Sequence, residues 1–257
     1  MGEVLDMSYR LICAATALAI MFVCLGEEAD AQKIVTDGLV AFYTLDKEDI
    51  QGETVKDVSG NGNDAKIVGK LEIVPGMIDE CLKFDGQPNY VEIPPLGDWE
   101  EASVECWAYA ETLAPTYQGI VSTWQWAPGK VHFKFESRQI QVHKNDGVKI
   151  RFNCEEKKWY HIVYTCDTKA NELKLYVNGE LVDQGVAGST PENFNERRIG
   201  SEHDGRYLTG MVDEVRIYNR VLSEEEVKQN YQVKSNELAV MPQGKIALSW
   251  GAIKSNR

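Results

Sequence analysis

Apolar and polar residues alternate with a period of two in one short run after another along this chain, and Gly-, Asn- and Pro-rich punctuation separates the runs. Successive side chains of a strand point to opposite faces, so this pattern marks strands with one buried and one wet face. GLVAFY at residues 38–43 opens the series, and DVSGNGND at 57–64 is a loop by its Gly and Asn content. Further runs occupy residues 65–68, 81–84, 90–93, 103–110 and 119–124. Residues 131–135, 139–143 and 148–152 predict a meander with Asn145-Asp146-Gly147 as a tight turn. WYHIVYT at 159–165 precedes the clearest hairpin, in which Leu173, Leu175 and Val177 alternate with Lys174 and Tyr176. Asn178-Gly179 then reverses the chain, since this pair tolerates the positive φ values of a type I′ turn. Residues 198–200, 207–208 and 212–218 complete the strands. Against them stands one helix: Ser223 with Glu226 three residues on is a capping box, predicting a helix to about Tyr231. Short strands, turn signals and a single short helix predict an all-β fold of two packed antiparallel sheets.

The N-terminus reads as a signal peptide. LICAATALAIMFVCL at 11–25 is fifteen residues without charge, too short to span a bilayer as a helix. Ala29-Asp30-Ala31 supplies the small residues for cleavage after Ala31. Glu3 and Asp6 offset Arg10, and a start at Met7 leaves the more basic lead-in MSYR. Val23 before Cys24 is too large for a lipidation signal. The expected organisation is a signal peptide at 1–31, a single β domain at 32–232 and a tail at 233–257, which places the chain outside the cell or on its surface. The tail carries four basic residues and one acid, and is an extension, an added strand or a sorting segment. Removing residues 1–31 takes away one Arg and five acids, so the formal charge moves from −13 to −9. An acidic surface disfavours nucleic acid and anionic membranes as partners, and no later segment is apolar enough to cross a membrane.

Cys81, Cys106, Cys154 and Cys166 remain, and export makes disulfides possible. Four cysteines allow three pairings. Cys106 and Cys166 each lie in or at the end of an apolar strand-like run, which favours a Cys106–Cys166 bridge. Neither Cys-x-x-Cys nor a Cys/His ligand spacing occurs, which argues against zinc and iron–sulfur sites.

Eight segments, taken in order, resemble the laminin-G-like jelly rolls of the concanavalin A-like lectin/glucanase group. They are GLVAFYTLD (38–46), DVSGNGNDAKIVG (57–69), CLKFDGQPNYVEIP (81–94), SVECWAY (103–109), WYHIVYTCD (159–167), LKLYVNGELV (173–182), RRIGS (197–201) and GMVDEVRIYNRVLSEEEV (210–227). The resemblance covers residues 38–231. It implies a two-sheet antiparallel jelly-roll sandwich, often with one calcium ion at its edge, that binds glycans or protein surfaces.

Asp213 is the most informative acid. In MVDEVRIY it shares strand parity with Val215 and Ile217, and a carboxylate on the apolar parity must be paired, hydrogen-bonded or bound to a cation. In the implied fold the loop at 57–64 lies nearby, offering Asp57, Asn61, Asn63 and Asp64 as hard oxygen ligands that suit calcium. Asp57, Asn61 and Asp213 are the expected ligands; the alternative is that Asp213 caps backbone N–H groups and the loop is a turn. Asp46 resembles another edge acid of the family.

The glycan-binding reading rests on loop aromatics. Trp124 and Trp126 in STWQWAPG flank one polar residue before a Pro-Gly turn, and flat rings at a rim stack on sugars. His203 and Tyr207, with Asp204 and Arg206, form a second polar loop. The alternative is that the two tryptophans plug the sandwich, as expected of Trp107 and Trp159. His132, His143 and His161 sit in strands without a nucleophile pattern. No Gly-x-Ser-x-Gly elbow and no Glu-x-Asp-x-x-Glu strand occurs. The chain therefore reads as a secreted, non-catalytic, calcium-stabilised carbohydrate-binding domain. A cell-surface structural or protein-interaction domain is the alternative, and a glycoside hydrolase ranks below both.

Overall fold

The alternating runs resolve into two antiparallel layers in the computed structural model, which describes residues 33–202 and 205–233. The expected signal segment at 1–31, the tail beyond Val233 and His203 lie outside the described residues. One layer is an eight-stranded sheet. Its order runs Glu180–Gly185, Glu172–Val177, Trp159–Asp167, Glu101–Ala110, Thr209–Tyr218, Glu80–Asp85 and Glu72–Pro75, with Leu39–Tyr43 also paired to Thr209–Tyr218. The other layer joins a six-stranded sheet, beginning Val121–Thr123, Arg197–Ile199 and Tyr90–Glu92, to a four-stranded one. The four strands are Tyr117–Gly119, Val131–Glu136, Gln139–Lys144 and Lys149–Asn153. The link is the Ile120 N–H, which donates to the Phe133 carbonyl at 2.9 Å. Neighbours in space that are distant in sequence make this the expected jelly-roll sandwich, with one short C-terminal helix, Glu224–Gln232.

Local chemistry accounts for the elements. Asn178 and Gly179 both take positive φ, at 53° and 82°, as a type I′ hairpin requires. Ser223 accepts the Glu226 N–H at 3.2 Å, while the Glu226 carboxylate accepts the Ser223 N–H at 2.8 Å. That capping box removes two orphan donors and starts the helix where the sequence predicts. Between the layers, Ala102, Val104, Cys106 and Ala108 meet Val131, Phe133, Phe135, Ile140 and Val142. Each buried phenylalanine there contributes about 2 kcal/mol by leaving water.

The strand Thr209–Tyr218 departs from simple alternation. Asp213 pairs with Trp107, but Arg216, not Val215, pairs with Glu105, so a β-bulge intervenes. Glu214 adopts φ 55°, the left-handed conformation that this kind of bulge usually gives to glycine. The extra residue resets the parity. Val212, Val215 and Ile217 face the core, whereas Asp213 shares the outer face with Trp107, which corrects the expectation that Asp213 lies on the apolar parity.

That outer face is covered by the helix and by residues 33–35. Glu105 is fully buried; Oε1 accepts Arg216 at 2.6 Å and lies 3.0 Å from His161 Nε2, and Oε2 accepts the Asn230 amide at 2.6 Å. Val35 donates its N–H to Asn230 at 2.8 Å and accepts Tyr218 O–H at 3.0 Å. Trp107 is buried here, against His161 and Tyr231, instead of in the core between the sheets, and Trp159 is half-buried beside Tyr109.

The Cys106–Cys166 bridge is not formed; all four described cysteines are free thiols in buried positions. Register gives the reason. Cys166 lies opposite Ala102, and Cys106 lies opposite Ile162, four residues away along the neighbouring strand. Four residues of strand span about 13 Å, twice the reach of a disulfide between α-carbons. Burial pushes the Cys81 thiol up to about 12 and the Cys154 thiol up to about 11. Alkylation followed by peptide mass mapping should therefore modify Cys81, Cys106, Cys154 and Cys166 only after denaturation, and without added reductant.

Burial alone would raise the Glu105 carboxyl, but Arg216 and then His161 and Asn230 outweigh it and hold Glu105 at about 2. A lowered carboxylate stabilises the fold above its unfolded value and loses that contribution as pH falls. Between pH ~4.5 and ~2, on the order of 3 kcal/mol of unfolding free energy should disappear in denaturant titrations. Glu105→Gln should flatten that part of the pH profile.

Candidate functional site

The outward face of the four-stranded sheet is polar throughout. Val131, Phe133 and Phe135 point to the core, so His132, Lys134 and Glu136 point away. By the same alternation Gln139, Gln141 and His143 leave the second strand outwards, and Lys149, Arg151 and Asn153 the third. Register aligns them in three rows: His132–His143–Lys149, Lys134–Gln141–Arg151 and Glu136–Gln139–Asn153. Side-chain amides are hydrogen-bonded to one another, Gln139 donating to Asn153 within its row at 2.8 Å and Gln141 to Gln139 in the next row at 3.3 Å. Gln141 is only 4% exposed, and its Oε1 ends the series, buried and without a hydrogen-bond partner. Nδ1 of His143 is likewise buried and unpartnered. Other described residues, such as Arg197 and Arg216, also hold buried polar atoms without partners; what sets these two apart is their place on a polar face beside the open Trp126 ring.

An aromatic wall stands over one end of the rows. Trp126 is 50% exposed and stacks on His132, ring centroids 3.9 Å apart and planes 22° from parallel. Lys134 Nζ sits 5.4 Å from the Trp126 ring and 5.2 Å from Tyr117, and the Arg206 guanidinium lies 4.1 Å over Tyr117. Glu202 organises these groups: its carboxylate lies 2.9 Å from His132 Nδ1 and accepts Lys134 at 2.8 Å and Arg206 at 3.0 Å. Burial would raise Glu202, yet the His132 and Lys134 contacts prevail and bring it to about 2. Desolvation, reinforced by Lys149, His132 and Lys134, lowers His143 to about 4, so this imidazole is neutral at physiological pH. The result is a rigid set of hydrogen-bonding groups beside a flat apolar ring, an arrangement suited to grip hydroxyls and stack on a ring.

Of the sequence-predicted ligand residues, Trp126 belongs to this wall. Trp124, 40% exposed, follows the end of the strand Val121–Thr123, so strand parity no longer sets its direction. Tyr207 is half-buried and bridges to Ser201, one residue before Glu202. Sequence reasoning passed over His132, Lys134, Gln141, His143, Glu202 and Tyr117. The signal was present in the strict alternation of VHFKFE and QIQVHK, whose polar parity holds imidazole, ammonium and amide groups and no small hydroxyl.

The acids expected to hold calcium fall into two separate groups. Asp57 accepts N–H groups of Phe42 at 3.0 Å, Ser59 at 3.0 Å and Asn63 at 2.9 Å, while Asn61 donates its amide to the Leu39 and Val40 carbonyls. These two residues fasten the Gly/Asn loop to the first strand. Asp213 instead accepts the N–H groups of Met77 at 2.8 Å and Ile78 at 3.0 Å through Oδ2. The bulge at Glu214 directs it towards that loop, so Asp57, Asn61 and Asp213 do not form one ligand set. Among the described residues no three His, Cys, Asp or Glu side chains are grouped to hold a metal. What Asp213 does have is a buried, unpartnered Oδ1 and the neighbouring charge of Asp46. Burial first, then Asp46, pushes Asp213 up to about 7 against its two N–H bonds. Burial also pushes Asp46 up to about 6, opposed by the Glu80 N–H at 2.8 Å. Two desolvated carboxylates, one with an orphaned oxygen, supply only part of the oxygen set that a calcium ion takes.

Comparison with known proteins places this geometry in context. The sequence profile of the concanavalin A-like lectin/glucanases superfamily matches residues 85–228. No curated protein matches the chain in sequence. Solved structures share its fold at low identity. The binding domain of Paraclostridial Mosquitocidal Protein 1 gives a TM-score of 0.62 at 16% identity, over 76% of this chain and 52% of that one. Domain 4 of an extracellular arabinanase from Geobacillus stearothermophilus, determined with arabinotriose, gives 0.56 at 20% identity, over 75% and 98%. Trypanosoma rangeli sialidase in complex with sialic acid gives 0.63 at 19% identity, over 79% and 35%. The chain thus spans about half of the first of these and about a third of the sialidase. The profile match and the two-layer fold agree: this chain belongs to the concanavalin A-like lectin/glucanase superfamily.

Proposed function

We propose that the domain is a non-catalytic glycan-binding module, exported through the segment at 1–31 and stiffened by calcium at its edge. The observation that carries the reading is the Trp126 ring, half open to solvent, standing over a face whose central Gln141 and His143 hold buried polar atoms without partners. A sugar ring laid against Trp126 sheds water from its apolar face, while its hydroxyls reach Gln141 Oε1 and the neutral imidazole of His143. The domain of the arabinanase that shares this fold was determined with arabinotriose, which supports a saccharide over a protein partner. The carboxylates of the strand Thr209–Tyr218 serve structure, Asp213 holding a loop and Glu214 bound to Arg216, which supports the non-catalytic reading for this strand.

For calcium, Asp213 with Asp46 replaces the ligand set built on Asp57 and Asn61. Bound there, the ion would neutralise two desolvated carboxylates and join the strand Thr209–Tyr218 to the loop before Glu80–Asp85.

Two measurements test these readings. In a glycan screen, Trp126→Ala and Gln141→Ala should each weaken binding of the best saccharide by about tenfold, the loss of one stacking or hydrogen-bonding partner. An absence of any saccharide ligand, or equal binding by the variants, rejects the face as the site. In thermal melts at neutral pH, a chelator should lower Tm of the wild type and leave Asp213→Ala unmoved, because an ion bound only by the folded state stabilises it. A wild-type melt indifferent to chelator and to added calcium rejects the ion.

A further inference from the structure

We propose that the saccharide taken by this face is acidic, carrying carboxylate or sulfate groups, an inference that rests on the glycan-binding reading. The charge on the face runs against that of the chain. The whole sequence has 40 Asp and Glu against 27 Lys and Arg. The three rows hold the cations Lys134, Lys149 and Arg151 against the single acid Glu136, which stands at one corner. Beside the rows Arg206 is offset by Glu202, and Asp183 borders Arg151, its carboxylate accepting the Arg151 N–H at 2.8 Å, so the face and its border hold four cations to three acids. The first two rows, His132–His143–Lys149 and Lys134–Gln141–Arg151, contain no acid.

These cations are available in graded fashion. Lys134 is 1% exposed and held by Glu202 and Glu136, so its charge is balanced within the protein and the ligand meets the other two cations. Lys149 is exposed, and its nearest carboxylate, Glu136, lies 3.8 Å away, at the limit of an ion pair. Arg151 is exposed, and its side chain makes no ion pair among the described residues; only its backbone N–H is engaged, by Asp183. A free guanidinium on an edge strand is a fork for a carboxylate or sulfate, able to give two parallel hydrogen bonds. Two strand spacings separate Lys134 from Arg151, about 10 Å, and the rows extend about 14 Å along the strands. Trp126 overhangs His132 at one edge of this rectangle, and Lys149 and Arg151 lie on the strand at the opposite edge. A short oligosaccharide stacked on Trp126 therefore carries its next charged substituents onto the two exposed cations.

The test compares binding by calorimetry to four probes: an uncharged glucan, a polyuronate, a sulfated polysaccharide and single-stranded DNA as a polyanion without pyranose acids. The expected result is binding of the polyuronate, the sulfated chain or both, the two arms telling carboxylate from sulfate recognition. That binding should weaken with added salt and fall about a hundredfold in Lys149→Gln/Arg151→Gln, two charge-assisted partners lost. Lys66→Gln, an exposed lysine on the six-stranded sheet, should change nothing. Both altered side chains in the double variant are exposed, so a melting curve coincident with wild type is expected. Binding of the uncharged glucan alone, dependent on Trp126, overturns the acidic inference and leaves the glycan-binding reading standing. Acidic binding indifferent to the double variant, or DNA bound as tightly as the polysaccharides, also overturns it. If no saccharide of either kind binds, both readings fall together.

Discussion

The buried ion pair between Glu105 and Arg216 is the constraint on which much of the architecture turns. Removing two charges from water costs several kcal/mol for each ion, and such a pair persists only when neighbouring groups hydrogen-bond to it. Here the surrounding structure supplies most of the partners, leaving Arg216 Nε and Glu214 Oε1 without one. His161 comes from the adjacent strand, Asn230 from the helix, and Glu214 from the bulge, while the guanidinium lies 4.6 Å over the Phe42 ring. The pair needs Arg216 opposite Glu105, and only a strand with one extra residue after Asp213 delivers that register. The left-handed Glu214, a conformation that costs on the order of 1–3 kcal/mol in a non-glycine residue, follows from this demand. So does the outward turn of Asp213 towards Met77 and Ile78.

A second buried charge binds one layer to the other. Arg197, from the six-stranded sheet, reaches Tyr164 of the eight-stranded sheet at 3.0 Å and Glu192 at 2.7 Å, all three fully buried. Glu192 in turn belongs to the small ribbon of Asp98–Trp99 and Glu192–Asn193. Apolar contacts between sheets are tolerant of sliding; a guanidinium fork with named acceptors is not. The polar rows on the four-stranded sheet gain from that fixity, because a binding face works only if its groups are held in place by what lies behind them.

The layers, the hairpin at Asn178-Gly179 and the capped helix were legible in the sequence because each rests on chemistry within a few residues. Alternation shows which side of a strand is wet, and the capping box needs only Ser223 and Glu226. What escaped depends on register between distant segments. Nothing in MVDEVRIY announces that a glutamate will take a glycine-like conformation, so parity counted straight through the strand misplaced Asp213. Cys106 and Cys166 looked like partners as separate apolar runs; pairing Cys166 with Ala102 separates them. His132, Gln141 and Arg151 become neighbours only when three strands are laid side by side. Trp126 was legible as an aromatic at a loop rim, whereas the imidazole beneath it was not.

Residues 33–35 and the helix that ends at Gln232 close on one another: Gln229 donates to the Lys33 carbonyl at 2.7 Å, and Val35 donates to Asn230. Ile34 and Val233 are packed together with Phe42. A mechanical tug applied through both ends of the domain would load this small clasp first. The far sheet, with its rows of polar side chains, would bear tension only after the clasp had parted, so the face could hold its shape on a chain under strain.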